Sequence, residues 1–271
     1  MSIRQLRIGC EFVQQSPAAT PVVMQIRPIG EDPVRVTDEQ WTVEPTADSH
    51  GYTDMYGNRC LRLVLPAGRS HFRYSAIAVV PDEPEPMDPQ AARTAPHLLP
   101  DATLVYTLPS RYVLPEMLAE TDVSQFNHAR SGYATVQAVC DFVHQHLTFS
   151  YGTSTSTTTS HDVYLARYGV CRDFTHLAIA FCRALDIPAR YVFGYLPQLD
   201  VEPLPDPMDF AAWMEVWLGD RWWTFDPRNN TRRKGRVLIG RGRDASDVAM
   251  VTAFGRPDLQ SMTVVAEEVA G

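Results

Sequence analysis

Apolar residues recur at every second position in long stretches of the first eighty residues. Leu6, Ile8, Cys10 and Phe12 open the series, Leu61, Leu63 and Leu65 continue it, and Phe72, Tyr74, Ala76, Ala78 and Val80 close it. A two-residue period places such side chains on one face of extended strands. Turn residues such as those of His50–Asn58 separate the strands, so the pattern predicts an antiparallel sheet or sandwich. Cys10 and Cys60 then read as sheet residues rather than reactive thiols. Pro81–Pro100 follows with six of the chain's 21 prolines. It can be neither a regular helix nor a central strand, and reads as an extended linker or as a loop packed over the sheet.

The period then lengthens. Val136, Val139, Cys140, Val143 and Leu147 lie three or four apart, as do Phe174, Leu177, Ala178, Phe181 and Leu185. Each set forms one stripe of a helix, with Cys140 in the core. The second helix stops before Ile187-Pro188, because proline disfavours helix in its predecessor. Ala189–Leu196 reads as a strand. Ala211–Leu218 and Arg221–Pro227 flank Gly219-Asp220, which predicts a β-hairpin rich in aromatic residues. The expected organisation is a sandwich-like β unit over residues 1–100 and an α+β unit over residues 101–271. The Ser/Thr tract Thr153–Asp162 has nothing apolar to bury and reads as a mobile loop, either a lid or rim of a cleft or a plain surface connection. Pro197–Phe210, with four prolines and four acids, should border any site the hairpin forms.

Composition removes several classes. The chain has 271 residues, 45% hydrophobic and 21% charged, enough for one large core or two smaller ones. Its net charge of −8 argues against general affinity for nucleic acid or anionic membranes. Five cysteines, an odd number without framework spacing, fit a reducing compartment. Cys171 and Cys182, if both helical, lie ~16.5 Å apart and cannot bond. No Cys-x-x-Cys or clustered His/Cys pattern suggests a metal or cofactor. The opening stretch lacks the apolar core of a secretory signal, and no run approaches the roughly eighteen apolar residues of a membrane helix. The default expectation is a cytoplasmic protein. Arg228–Arg243 departs from the acidic background, with seven Lys or Arg and no acid. It reads as a rim attracting an acidic ligand or as a strand edge protected by charge.

The chemistry concentrates at Gly169-Val170-Cys171-Arg172-Asp173-Phe174. A glycine-led turn gives way there to a helix with Cys171 at its mouth, where unpaired amides and the positive end of the helix dipole favour thiolate. The same amides can hold the oxyanion formed when sulfur attacks a carbonyl. Cys171 is a candidate nucleophile; the alternative is a buried structural cysteine.

The stretch "GVCRDFTHLAIAFCRALDIPARYVFGYL", followed by "AWMEVWLGDRWWTFDPRNN", closely resembles bacterial transglutaminase-like proteins of the papain-type cysteine peptidase superfamily. "YTLPSRY" before it and "GRVLIGRGRDASDVAMVTAFG" after it extend the resemblance over residues 105–256. The resemblance implies a Cys-bearing helix packed on an antiparallel sheet, a β-rich N-terminal domain before it, and a Cys–His–Asp triad. Cys171 matches the nucleophile and Asp226 of "FDP" the acid that orients the histidine. The family's base is the histidine of a "HAW" triplet, which here reads Ala211-Ala212-Trp213.

A methyl group cannot carry the proton, and general acid–base transfer is worth about 10²–10⁴-fold. Eight histidines are present: His50, His71, His97, His128, His144, His146, His161 and His176. His176 is five residues past Cys171, about 140° around a helix and ~7.5 Å along it, and suits a packed helix residue better than a base. His161 ends the Ser/Thr tract and could reach the site if the tract folds over it. Ala211 and Trp213 are the positions placed to touch a substrate, and Trp213, Trp217, Trp222 and Trp223 should divide between the hairpin's two faces. Two functions follow. One is a cysteine hydrolase or acyltransferase acting on amide bonds of a peptide or protein substrate: a protease, amidase or deamidase working through a Cys171 thioester. The other is a pseudoenzyme that binds a peptide or protein in the same cleft.

Overall fold

The computed structural model describes residues 2–118, 123–126, 131–202 and 207–269. His128 and the stretch 203–206 lie outside the described residues. Six N-terminal strands come first: β1 (Ile3–Ser16), β2 (Thr20–Met24), β3 (Arg35–Glu44), β4 (Ser49–Thr53), β5 (Arg59–Leu65) and β6 (Gly68–Pro81). The helices α1 (Asp101–Leu104), α2 (Gly132–His146), α3 (Ser160–Ala166) and α4 (Cys171–Ala184) follow, with β7 (Thr148–Phe149) and β8 (Tyr168–Gly169) pairing between them. Then come β9 (Ala189–Tyr195), β10 (Ala211–Leu218), β11 (Arg221–Phe225), β12 (Val237–Gly242), β13 (Val251–Ala253) and β14 (Asp258–Glu268).

The alternation read from the sequence becomes two antiparallel sheets, ordered β14-β1-β6-β3 and β13-β2-β5-β4. Leu6, Ile8, Cys10 and Phe12 of β1 join Leu61, Leu63 and Leu65 of β5 in one core, all of them buried. Each such aliphatic side chain contributes about 1.5–3 kcal/mol through removal from water. The expected boundary at residue 100 is crossed by the last two strands. β13 pairs with β2 and β14 with β1, so residues 251–268 complete the N-terminal sheets rather than the α+β unit. Pro81–Pro100 packs over the protein instead of spanning a gap. Its Ala91 and Ala92 carbonyls accept the Tyr133 and Gly219 amides at 3.0 and 2.8 Å, and Asp82 pairs with Arg4 at 2.6 Å.

The third sheet, β11-β10-β9-β12, carries α4 on one face. The helix is buried from Asp173 through Arg183, with α2 and α3 against it, which explains an apolar stripe wide enough to include Leu177, Ala178 and Phe181. It ends at Leu185, with Asp186 in the left-handed region before Ile187-Pro188. Gly194 is required in β9, since a Cβ there would stand 2.1 Å from the Val237 carbonyl oxygen of β12. Among the described residues no helix is long and apolar enough to cross a membrane.

Candidate functional site

The site is built where β8 turns into α4. Gly169 allows the Asp173 side chain to fold back, because a Cβ at 169 would sit 2.7 Å from the Asp173 Cβ. Asp173 is fully buried and accepts the Val170 amide at 2.8 Å, so its carboxylate occupies the positive end of α4. Arg172 pairs with it at 3.2 Å and donates to the Thr155 carbonyl at 2.8 Å, while Ser154 also bonds Asp173. The Ser/Thr tract is thereby tied to the helix mouth. It continues into a capping box at α3, in which Thr159 and Asp162 bond each other's amides.

Cys171 is half-buried and lines a cleft of about 180 Å³. The cleft is walled by Phe149, Leu196, Met208 and Phe210, with Ala211 at the start of β10 and Arg228, Asn229 and Arg233 beyond the hairpin. Pro197–Phe210 borders the site through Gln198 and Pro207–Phe210, its residues 203–206 lying outside the described part. Phe210 stacks on Phe12 of β1 at 6.4 Å and meets Tyr195 at a tilt, 5.2 Å between centroids, so the N-terminal sheet braces the cleft wall. The thiol donates to the Phe210 carbonyl at 3.9 Å. Burial pushes it up to about 11, the Ala212 amide pulls it down, and the Asp209 carboxylate adds to the rise. The thiolate expected at the helix mouth is therefore a neutral thiol. Burial between apolar walls disfavours the charge more than the helix mouth favours it.

Asp226 is buried and fully bonded. Its Oδ1 accepts the Arg228 and Asn229 amides at 3.1 and 2.9 Å; its Oδ2 accepts Asn229 Nδ2 and Arg236 Nη2, each at 2.7 Å. Arg236, its side chain only 7% exposed, also bonds Glu85 of the proline-rich segment and lies 4.8 Å over the Trp213 ring. The Arg236 charge holds the Asp226 carboxyl below its usual range against the cost of burial. Asp226 borders a neighbouring cavity with Cys140 and Tyr133; Asn229 is the residue that reaches from it into the cleft.

The histidine candidates stand apart from the sulfur. His176 is buried between Tyr112 and Tyr191, ring centroids 5.3 and 5.0 Å away, and its Nε2 accepts the Ala245 amide at 3.1 Å. Burial lowers it to about 3, so it is neutral and its lone pair is taken. His161, on α3, does not line the cleft. Trp213 is turned to the face of β10 opposite Ala212 and Met214, and none of Trp213, Trp217, Trp222 and Trp223 lines the cleft.

A larger cavity, about 1280 Å³, lies on that other face, between the sheet and the N-terminal segments Gly30–Val34 and Val80–Pro86. Its inner cations are paired: Arg190 and Arg241 with Glu215, Arg241 with Glu31, and Arg236 with Glu85. The basic run Arg228–Arg243 thus does two things. Lys234, Arg236, Arg241 and Arg243 form ion pairs, whereas Arg228 and Arg233 face the cleft. Sequence reasoning did not single out Arg236, Asn229 or Arg233; their only signal was membership of a basic stretch.

A family-wide profile of the transglutaminase-like superfamily matches residues 120–227. An uncharacterized protein of Mycobacterium bovis is 30% identical over 237 residues, 79% of this chain and 74% of its own. One of Mycobacterium leprae is 27% identical over 213 residues, 76% of this chain and 75% of its own. The crystal structure of a candidate cysteine protease from Cytophaga hutchinsonii superposes with a TM-score of 0.87 at 27% identity, covering 100% of this chain and 92% of that one. The chain belongs to the transglutaminase-like superfamily. Within this superfamily fold, Cys171 opens the buried helix, Asp226 directly follows the hairpin's second strand, and Ala211, at the start of β10, lines the cleft with Cys171.

Proposed function

We propose that this transglutaminase-like protein holds a peptide segment in the Cys171 cleft without cleaving it. The observation that carries the reading is the fate of the acid: Asp226, which in a working triad orients a histidine, spends its four bonds on Arg236, Asn229 and two amides. With alanine at 211 and His176 locked to Ala245, no described histidine stands at the cleft to take the thiol proton or return it to a leaving amine. The amide-cleaving reading keeps one observation in its favour, the Ala212 amide directed at the sulfur, which could polarise a carbonyl.

Ammonia and amine release from glutamine-containing peptides separates the two. The binding reading expects the natural protein to match Cys171→Ala at background, while peptides still bind. Turnover that disappears in Cys171→Ala would overturn it.

A further inference from the structure

Two cations, Arg228 and Arg233, face the cleft without a direct ion pair among the described residues. Arg228 Nη1 donates to Asn229 Oδ1 at 3.1 Å, and Arg233 Nη1 reaches the same oxygen at 3.5 Å. Arg233 Nη2 is held by the Pro197 carbonyl at 3.0 Å, and its Nε is buried with no partner. Arg228 is kept in place by the Phe149 ring, 4.1 Å below its guanidinium. The neighbouring carboxylates are committed elsewhere: Asp226 to Arg236 at 2.7 Å and to Asn229 Nδ2, and Glu85 to Arg236 and to the Arg233 backbone amide at 2.6 Å. Two guanidinium groups thus converge on one neutral amide oxygen, and burial, Arg236 and, more weakly, Arg228 disfavour the charge on Arg233, against the Asp226 and Glu85 carboxylates. Planar guanidinium forks match carboxylates, whose two oxygens accept parallel bonds and bring the missing charge.

We propose that Arg228 and Arg233, bridged by Asn229, recognise a carboxylate of the peptide bound in the Cys171 cleft. This rests on the binding reading above and names its ligand chemistry. The walls next to the pair are apolar, from Phe149, Leu196, Met208 and Phe210. The volume, about 180 Å³, is below the roughly 300–1,000 Å³ of small-molecule sites. It suits a terminal residue rather than a whole folded ligand, so the occupant that fits is a chain end carrying an apolar side chain and a free carboxylate. An acidic side chain within a peptide offers the same chemistry.

Three probes distinguish the sources: N-acetyl-Leu-Phe as the free acid, the same dipeptide as its C-terminal amide, and N-acetyl-Leu-Glu-Phe amide. Calorimetric affinity is read together with protection of Cys171 from alkylation at pH 9. The free acid is expected to bind about 10- to 100-fold more tightly than the amide, the range of a charge-assisted pair over a neutral contact. That preference should vanish in Arg228→Gln and in Arg233→Gln and persist in Arg232→Gln, whose exposed side chain donates to the Glu85 carbonyl at 2.9 Å. Thermal melting of each variant separates lost recognition from lost folding, and a single-site variant that melts early is replaced by Arg→Lys. Preference for the glutamate peptide assigns the carboxylate to a side chain. Equal binding of acid and amide overturns the carboxylate inference but leaves a peptide cleft. Cys171-dependent hydrolysis of any probe overturns the binding reading itself.

Discussion

The state of the Cys171 sulfur can be titrated by alkylation. A thiol raised to about 11 is ionised only to ~10⁻⁴ at pH 7, against roughly 3% for a free cysteine at 8.5. Thiolate nucleophilicity rises with basicity, with a slope of about 0.4–0.5, so part of that deficit is recovered. The ratio of about 300 in thiolate population shrinks to about 20 in rate. The slope is more telling than the rate. Cys171 should react with iodoacetamide about tenfold faster for each pH unit from 6 to 10, without a plateau. Mass spectrometry after timed quenching reads the site directly, and Cys171→Ser supplies the background. The four other thiols, Cys10, Cys60, Cys140 and Cys182, are all buried and raised by that burial, so they should label more slowly in the folded protein. A rate that stays flat between pH 5 and 8 is the signature of a stabilised thiolate. It would refute the view that burial between apolar walls, with the Asp209 carboxylate, outweighs the helix dipole.

Other outcomes follow from the same contacts. Asp226→Asn leaves Arg236 buried with Glu85 alone and should cost about 3–5 kcal/mol in denaturant unfolding; a loss under 1 kcal/mol would mean the pair is not structural. His176 has a folded-state value near 3, below the unfolded 6.5, so its contribution is complete above pH 6.5 and is lost as pH falls toward 3, at about 1.4 kcal/mol per unit. Stability at pH 5 should therefore be about 2 kcal/mol below that at pH 7.5, and His176→Phe should flatten that dependence in urea titrations at the two pH values. Gly169→Ala drives a methyl into Asp173 and should destabilise by about 1–3 kcal/mol, with the Ser154–Thr155 segment becoming more open to proteolysis. Ala211→His places an imidazole beside the sulfur, so the alkylation profile should gain a component at low pH; an unchanged profile would show that residue 211 does not face Cys171.

Strands and helices with a strong local period were legible in the sequence. The alternation of β1, β5 and β6, the stripes of α2 and α4, and the Gly219-Asp220 hairpin all carry their signal within a few residues. What escaped was long-range. β14 pairs with β1 across 243 to 262 positions, and nothing in Asp258–Glu268 names its partner, so the return of that segment to the N-terminal sheet has no local signal. The site divides similarly. Cys171 is marked by its turn and helix, whereas Arg236 acquires its meaning only by meeting Asp226 and Glu85 from separate segments. The suppressed ionisation of Cys171 was also hidden, because it depends on Phe210 and Asp209, nearly forty positions away along the chain.

Because β14 lies at the outer edge of β1, the strand at residues 3–16 waits for a partner at residues 258–268. At about 5–20 residues per second, synthesis leaves that edge bare for roughly 12–50 s. During this interval it offers a row of free amides and carbonyls to any passing strand. Emergence of residues 258–268, rather than of the first hundred residues, is the moment at which this sheet can close.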